Sequence, residues 1–476
     1  MMTADKIKEL IGALYGISLV DDFTINEAGS LKGRIAVATG QNNTNVEWDV
    51  EISPTYPFKT MGRESIYFQN KNLLDYPHIM QGGNLCMHSA EYDNTERQFV
   101  NDLKQLKEWV EKYYVKGEKD LHYEHLVVNH YLIREQYYTF CFAETQEDFA
   151  EGDFGVVHYA VLSTGRKNDS PVSNYVAQKF VSYTQLKKKE LLCNISKPYQ
   201  QLSSFEGVYC LLNNTPSEHA KFIVENYNSI KGLFSQSQKN YIYNFVVSHR
   251  GKYDFFPLFC GYRIPGGSVH WQVMMFFMDD LPIESVRVGT GKNRLWFTDF
   301  KQGLIQWAET VDISYKYFFG RGAMPKELAN KKILIMGVGA IGSIVAETLT
   351  RCGAKKLTLC DIDNKEPGNV CRSAYPFHTG ITEKTLDMEN LLTQISPHVE
   401  CVSLKPIVDL VVKTYSAGYE DKSALAKLFN EFDVIFDCTT DNQLMQIMDS
   451  TGIKAQLVNL SITKIGRASC RERVSL

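Results

Sequence analysis

Between Lys331 and Gly353 the chain reads KKILIMGVGAIGSIVAETLTRCG. The first part, KKILIMG, is a near-continuous apolar run of strand length. The remainder starts on glycines, keeps an apolar helical pattern and stops at Gly353. Gly337, Gly339 and Gly342 fall in the spacing GxGxxG at the strand-to-helix turn. Each glycine has its own reason there. The first permits the tight turn, the second lets a phosphate approach the backbone, and the third lets the helix pack close to the strand. The helix N-terminus then presents free N–H groups and the positive end of its dipole to an anion.

Working outward, KKLTLCD ends a second apolar strand on Asp361, and ECVSL, FDVIFD and LVNLSI follow further on. Strands apolar on both faces that alternate with helices predict a mostly parallel, Rossmann-like α/β sheet covered on both sides. Up to Asp361, which can hold a ribose hydroxyl pair, an NAD-binding oxidoreductase fits equally well. The next residues favour another chemistry. DIDNKEPGNVCR places Asp363, Asn369 and Arg372 after that acid, and DCTTDN puts Asp437 and Asp441 after a later strand. A site that consumes ATP has use for both groups. Arg372, and Lys384 beyond it, can neutralise phosphates, and Asp441 can hold the Mg²⁺ that draws charge toward a leaving pyrophosphate. The plainer reading is that Asn369 and Arg372 cap and pair surface charges.

Over residues 311–464 these motifs resemble the ThiF/MoeB/ubiquitin-activating adenylation family: GxGxxG, then DxD…NxxR, then a D-C-T-D-N-like motif. DCTTDN departs by one extra Thr, and GITEK carries one residue more than the family's Gly-x-x-Lys, which bears on Lys384. The resemblance implies ATP and Mg²⁺ as cofactors, a homodimer formed through this domain, and an upstream Arg that reaches the nucleotide of the partner protomer. Arg321 in FFGRGAMPKEL is the candidate for that Arg.

Nearer the start, Ile7, Leu10, Ile11 and Leu14 share a helical face, and NVEWDVEI alternates Val46, Trp48, Val50 and Ile52 with polar residues. RIAV and SIYF read as the neighbours of that half-buried antiparallel strand. After them comes the irregular stretch DYPHIMQGGNLCM, 75–87, and then a long amphipathic helix through Phe99, Leu103, Leu106, Val110 and Tyr113, with Asp93, Asn94 or Thr95 as its cap. Alone, Cys86 reads most simply as a small buried hydrophobe. The order helix, meander, Tyr-Pro segment, Cys-bearing loop, helix resembles the α+β ubiquitin-conjugating fold. In that family an HPN motif precedes the catalytic Cys. Tyr76-Pro77-His78 stands in its three places, and Cys86 follows His78 by eight residues. His78 replaces the family's Asn, whose oxyanion role a His N–H could take over.

The whole chain has 476 residues, too many for one core. The expected division is 1–148 conjugating-like, 149–310 a middle domain of mixed α/β type, 311–464 the adenylation domain, and 465–476 a tail. That tail, from IGRASCRERV onward, continues no pattern and looks like translated sequencing adapter. The native sequence is therefore expected to run past Lys464 in the parent protein, with an acyl-accepting Cys of the activating domain beyond it. Cys438 and Cys470 are given no such role.

A hydrophobic share of 44%, a charged share of 22% and a net charge of −4 give no reason to expect a nucleic-acid or membrane partner. Eleven Cys without any CxxC fit a reducing cytoplasm. GTGKN at 289–293 lacks the P-loop pattern. His122, His125 and His130 lack metal spacing, and KKKE at 187–190 reads as a solvated run.

The domain order resembles the activating–conjugating fusion proteins of bacterial antiphage operons of the CBASS type. It implies ATP-dependent activation of a protein C-terminus, thioester transfer to Cys86, and conjugation to an amine. The partner would be a ubiquitin-like protein or a cGAS-like nucleotidyltransferase. Other readings are a ThiF/MoeB-like activator of a sulfur carrier, an NAD-dependent oxidoreductase, and a non-catalytic binding module.

Overall fold

The computed structural model describes residues 2–40, 44–60, 63–87, 94–118, 126–128, 131–183, 188–289, 295–404, 407, 422–464 and 467–473. The chain divides into two compact units, 1–128 together with 215–224, and 129–214 together with 225–476. Asp93, His122, His125, His130 and nearly all of GTGKN lie outside the described residues.

In the first unit, helix α1 (Ala4–Gly12) starts at Thr3, whose side chain accepts from the Lys6 N–H, and it buries Ile7 and Ile11. Strands β1 (Ile17–Ile25), β2 (Leu31–Ala38), β3 (Asn45–Ile52) and β4 (Ile66–Gln69) form an antiparallel meander in chain order. Period-two alternation explains β3: Val46, Trp48, Val50 and Ile52 are buried and the residues between them are not. Helix α2 (Thr95–Trp109) is capped by Asn94, which accepts from the Glu96 and Arg97 N–H groups. Its apolar stripe meets the sheet, and Trp109 stands edge-on to Trp48 with ring centres 5.4 Å apart. A π-helical turn, Val110–Val115, continues it and buries Val110 and Tyr113.

Two short strands, β10 (Ser217–Glu218) and β11 (Phe222–Ile223), belong to this same unit although they come much later in the chain. Phe222, Ile223 and Val224 are buried there.

The second unit begins with eight strands in one sheet. They are β5 (Tyr137–Phe142), β6 (Phe154–Lys167), β7 (Ser170–Ser182), β8 (Lys189–Leu192), β9 (Ser204–Leu211), β12 (Phe255–Arg263), β13 (Val269–Phe277) and β16 (Trp307–Asp312). The order is β5-β16-β13-β12-β9-β6-β7-β8, and β5 also pairs with β7. That extra pairing closes the sheet on itself as a barrel, with β8 outside the ring. Phe140, Phe180, Tyr209, Phe259 and Trp271 fill the interior, and Phe180 stacks on Trp271 at 4.7 Å. Helix α3 (Gln236–Ser248) is set by a capping box between Ser235 and Gln238, and β14 (Ile283–Val288) pairs with β15 (Leu295–Phe300) as a separate ribbon.

The last part is a six-stranded sheet in the order β19-β18-β17-β20-β21-β22. The strands are β17 (Lys332–Met336), β18 (Lys356–Cys360), β19 (Glu400–Leu404), β20 (Val434–Asp437), β21 (Gln456–Lys464) and β22 (Arg467–Arg473). All neighbours are parallel except β22, which runs antiparallel to β21. Helices α4 (Ala340–Arg351), α5 (Lys384–Ile395), α6 (Lys422–Phe429) and α7 (Asn442–Ser450) connect or cover the strands. The mostly parallel, doubly wound sheet is the architecture expected from the apolar strands. His398 ties it to the barrel: its ring nitrogens face the carbonyls of Asn194 at 3.1 Å and Ile313 at 2.7 Å.

Candidate functional site

Strand order reverses between β17 and β20, and a crevice opens there at the carboxyl ends of the strands. It has a volume of about 580 Å³ and is lined by residues of the β17–α4 turn, the end of β18 and the β20–α7 turn. The three glycines of the first turn meet three different surroundings. Gly337 has φ of +76°, and a Cβ there would lie 2.9 Å from the backbone of Cys438 and Thr439. A Cβ on Gly342 would sit 1.9 Å from the Gly337 carbonyl oxygen, so helix and turn touch directly. A Cβ on Gly339 would meet nothing within 4 Å, because that face opens into the crevice. No side chain caps α4, and Ala340 and Ile341 of its first turn line the same space. A backbone cradle with an uncapped helix N-terminus suits a phosphate.

Asp361 holds this cradle in shape. Its carboxylate accepts from the Val338 N–H at 2.8 Å and from the Asp363 N–H at 2.8 Å. Buried Tyr375 donates to the Val338 carbonyl from the other side, and burial, with Asp361 and Asp387 nearby, pushes its phenol well above the usual range. Asp363 reaches the crevice and accepts from Lys384 Nζ at 2.8 Å. Lys384 is the first residue of α5 and lines the crevice in spite of the extra residue in GITEK.

Asp441 also lines it. One carboxylate oxygen caps α7 by accepting from the Gln443 and Leu444 N–H groups. The extra Thr of DCTTDN is accommodated by Thr440 in the left-handed region at φ of +61°, an uncommon conformation for a β-branched residue. Cys438 lines the crevice, but burial, with the Asp437 charge beside it, pushes its thiol up to about 12.

Other residues singled out in the sequence stand apart. Asn369 and Arg372 do not line the crevice. Asn369 accepts from the Glu366 N–H and closes a local capping box, and the Arg372 guanidinium donates to the Gly368 carbonyl at 2.9 Å. Arg321 is exposed on a single 3-10 turn, Gly320–Gly322. The sequence reading missed Lys365. It is 1% exposed, pairs with Asp387 at 2.7 Å, and donates to the Pro376 carbonyl and to Thr379. That pair pins the loop after Asp361 to α5. Among the described residues, no cluster of three or more His, Cys, Asp or Glu is placed to hold a metal. A Mg²⁺ bound through nucleotide phosphates needs only one or two protein carboxylates, so Asp441 alone fits that mode.

In the first unit, Cys86 is exposed at the end of the 75–87 stretch. Its N–H donates to the His78 carbonyl at 2.7 Å. His78 has φ of +61°, and its Nε2 lies 3.1 Å from the Tyr113 hydroxyl. Trp109 Nε1 donates to the Pro77 carbonyl at 3.0 Å. The structure thus brings Cys86 and the His78 backbone together, and it engages the imidazole with α2's extension.

Residues 315–457 match the model of the ThiF family. The ATP-dependent ubiquitin transferase-like protein Cap2 of Enterobacter hormaechei subsp. hoffmannii (strain UCI 50) is 27% identical over 165 residues, which cover 34% of this chain and 26% of that protein. Ubiquitin-like modifier-activating enzyme 5 of Branchiostoma floridae is 43% identical over 68 residues, 14% of this chain and 17% of the enzyme. The chain therefore covers about a quarter or less of the length of these relatives. Among solved structures, E. coli MccB with ATP aligns at 19% identity over 28% of this chain and 38% of its own, with a TM-score of 0.23.

Proposed function

We propose that this chain adenylates the C-terminal carboxylate of a protein at the β17–β20 crevice and that the acyl group then reaches Cys86 for transfer to an amine. One observation carries the first half. The ThiF match coincides with a crevice that combines an open glycine face, an uncapped helix N-terminus, Asp361, the Asp363–Lys384 pair and Asp441. ATP supplies the adenylyl group and the pyrophosphate that leaves.

The residues of the chain divide the remaining work. Backbone N–H groups of Ala340 and Ile341 receive phosphate oxygens, Asp361 takes ribose hydroxyls, and Lys384 offsets negative charge as pyrophosphate departs. Asp441 would hold Mg²⁺ against the phosphates. Arg372 and Arg321 enter only if their side chains leave the positions described above. At Cys86 the thiolate attacks the acyl carbonyl, a C–S bond forms and the leaving group departs; an amine later takes the acyl group and frees the thiol. The acyl donor is a ubiquitin-like protein or a cGAS-like nucleotidyltransferase, the assembly a homodimer through the adenylation domain, and the setting cytoplasmic antiphage defence. The name of the Enterobacter relative, an ATP-dependent ubiquitin transferase-like protein, supports the transferase part of this reading.

The test is ATP–pyrophosphate exchange with candidate partners, followed by capture of a thiol-labile adduct. Exchange should depend on the partner's free C-terminus, and the adduct should vanish in Cys86→Ala. Absence of exchange with every partner would refute the adenylation, an adduct that survives Cys86→Ala would refute the conjugating step, and NADH turnover would favour an oxidoreductase.

A further inference from the structure

The Cys86 loop is held by a part of the chain that sequence reading assigned to another domain. Three successive carbonyls, those of Tyr76, Pro77 and His78, each accept from a different element: Lys221 Nζ, Trp109 Nε1 and the Cys86 N–H. Lys221 comes from the β10–β11 hairpin. The same hairpin sets His219 Nδ1 2.7 Å from Asp75, the residue before Tyr76. It is fixed by backbone bonds as well, from the Val127 N–H to the Lys221 carbonyl at 2.8 Å and from the Ile223 N–H to the Val127 carbonyl at 3.2 Å.

The hairpin turn is itself strained. The Lys221 N–H reaches back to the Glu218 carbonyl, and His219 and Ala220 between them have φ of +51° and +60°. Non-glycine residues take this conformation when the surroundings hold them in it, and such positions concentrate at functional sites. Here the strained His219 contacts Asp75, and Lys221 just after the two positive-φ residues contacts Tyr76, both on the stretch that leads to Cys86. The His219–Asp75 contact is largely exposed and adds little by itself. Lys221 is half-buried, so its bond to the Tyr76 carbonyl is less screened by solvent than the His219–Asp75 contact.

We propose that the 215–224 hairpin is a clamp on the Tyr76–His78 carbonyl run, and that Lys221 is a positioning residue for Cys86. It acts through the chain. Holding Tyr76 fixes His78, and the His78 carbonyl fixes the Cys86 amide. Acyl transfer needs the thiol at a set distance and angle to the incoming carbonyl, so a loosened loop slows it even when the thiol stays chemically intact. The role given to Cys86 rests on the function proposed above; the clamp does not.

The experiment compares the full chain with Lys221→Met and Lys221→Arg. Hydrogen exchange is followed in the 79–87 and 45–52 peptides. Transfer of a glycyl group from glycine benzyl thioester to Cys86 is followed by intact mass, the benzyl thiol leaving with the thiol proton. Lys221→Met should speed exchange in 79–87 about threefold or more, leave 45–52 unchanged, and slow the transfer about fivefold or more. Lys221→Arg, which keeps a charged donor, should recover most of both. Unchanged exchange in 79–87 overturns the clamp. Faster exchange with unchanged transfer overturns the positioning role. Acceleration spread equally over 45–52 means general loosening and also counts against it. Because the thioester bypasses ATP, failure of ATP–pyrophosphate exchange would leave this result standing, and the two readings fail separately.

Discussion

Gly339, the residue before α4, and Gly342, in its first turn, should respond differently to the same added methyl group. At Gly342 an alanine Cβ would lie 1.9 Å from the Gly337 oxygen, 3.0 Å from its carbonyl carbon and 3.3 Å from Cys438 Cβ. Real Cβ atoms essentially never come closer than 3.0 Å, so α4 must back away from the turn by about 1.1 Å. Alanine gains up to ~1 kcal/mol over glycine inside a helix. Overpacking of this kind costs about 1–3 kcal/mol or more, so the clash wins and Gly342→Ala destabilises. At Gly339 the methyl meets no heavy atom within 4 Å. Gly339→Ala, which meets no such clash, should therefore cost less stability than Gly342→Ala. Its methyl occupies the face where phosphate would touch backbone, so ATP affinity should fall about tenfold or more, a loss of ~1.4 kcal/mol. Thermal unfolding and calorimetric ATP titration on the two variants separate these effects. ATP binding that is undiminished in Gly339→Ala would refute the placement of the nucleotide over the glycine turn. A Gly342→Ala variant as stable as the parent would refute the close-packing argument.

Two further outcomes follow from buried charge. Asp387→Asn leaves the Lys365 ammonium, with a side chain 2% exposed, without its counter-charge. It should cost about 3–5 kcal/mol in guanidinium unfolding, whereas the joint change Lys365→Met and Asp387→Leu should cost much less; a single-variant loss under ~1 kcal/mol would contradict the pairing. In the first unit, burial raises the Asp102 carboxyl above its usual 3.8, against hydrogen bonds from Tyr56 and Gln98 that lower it. A raised folded-state value means that its stability contribution is full below 3.8 and is lost as pH rises through the folded value. Asp102→Asn does not titrate, so the stability of the parent relative to it should fall as pH rises above 3.8. A difference independent of pH would count against the buried, Tyr56-bonded carboxyl.

What could be read from the sequence depended on how local its cause was. The strands ending at Met336, Cys360 and Asp437 announced themselves, because a strand buried on both faces has to be apolar throughout. Alternation exposed β3 for the complementary reason, and the Asn94 cap lay among the expected candidates. The barrel was not legible. Its closure depends on β5 pairing with β16 and β7, contacts that no local period encodes. At the crevice, Gly337 and Asp361 came together because the ends of β17 and β18 carry them there, and Lys384 joins them from the start of α5. Lys365 stands in the polar run DIDNKEPGN, and only Asp387, 22 residues on, explains its burial. Asn369 and Arg372 are each engaged within their own short turn, Asn369 with the Glu366 N–H and Arg372 with the Gly368 carbonyl. The β10–β11 hairpin escaped notice because strands of two residues leave no periodicity to find.

That hairpin also bears on the order in which the protein can be finished. A nascent chain that has reached Val128 already contains α1, the meander, Cys86 and α2, yet the lysine that grips the Tyr76 carbonyl has not been made. Strands β5 to β9 of the other unit must be synthesised before it. The first unit begins first but is not complete until Val224 has been made, so its cysteine loop acquires its last restraint only after strands β5 to β9 of the barrel have been synthesised. A fragment cut at residue 128 would carry the thiol without that restraint, and comparing it with the full chain would measure what a late-arriving segment contributes to an early one.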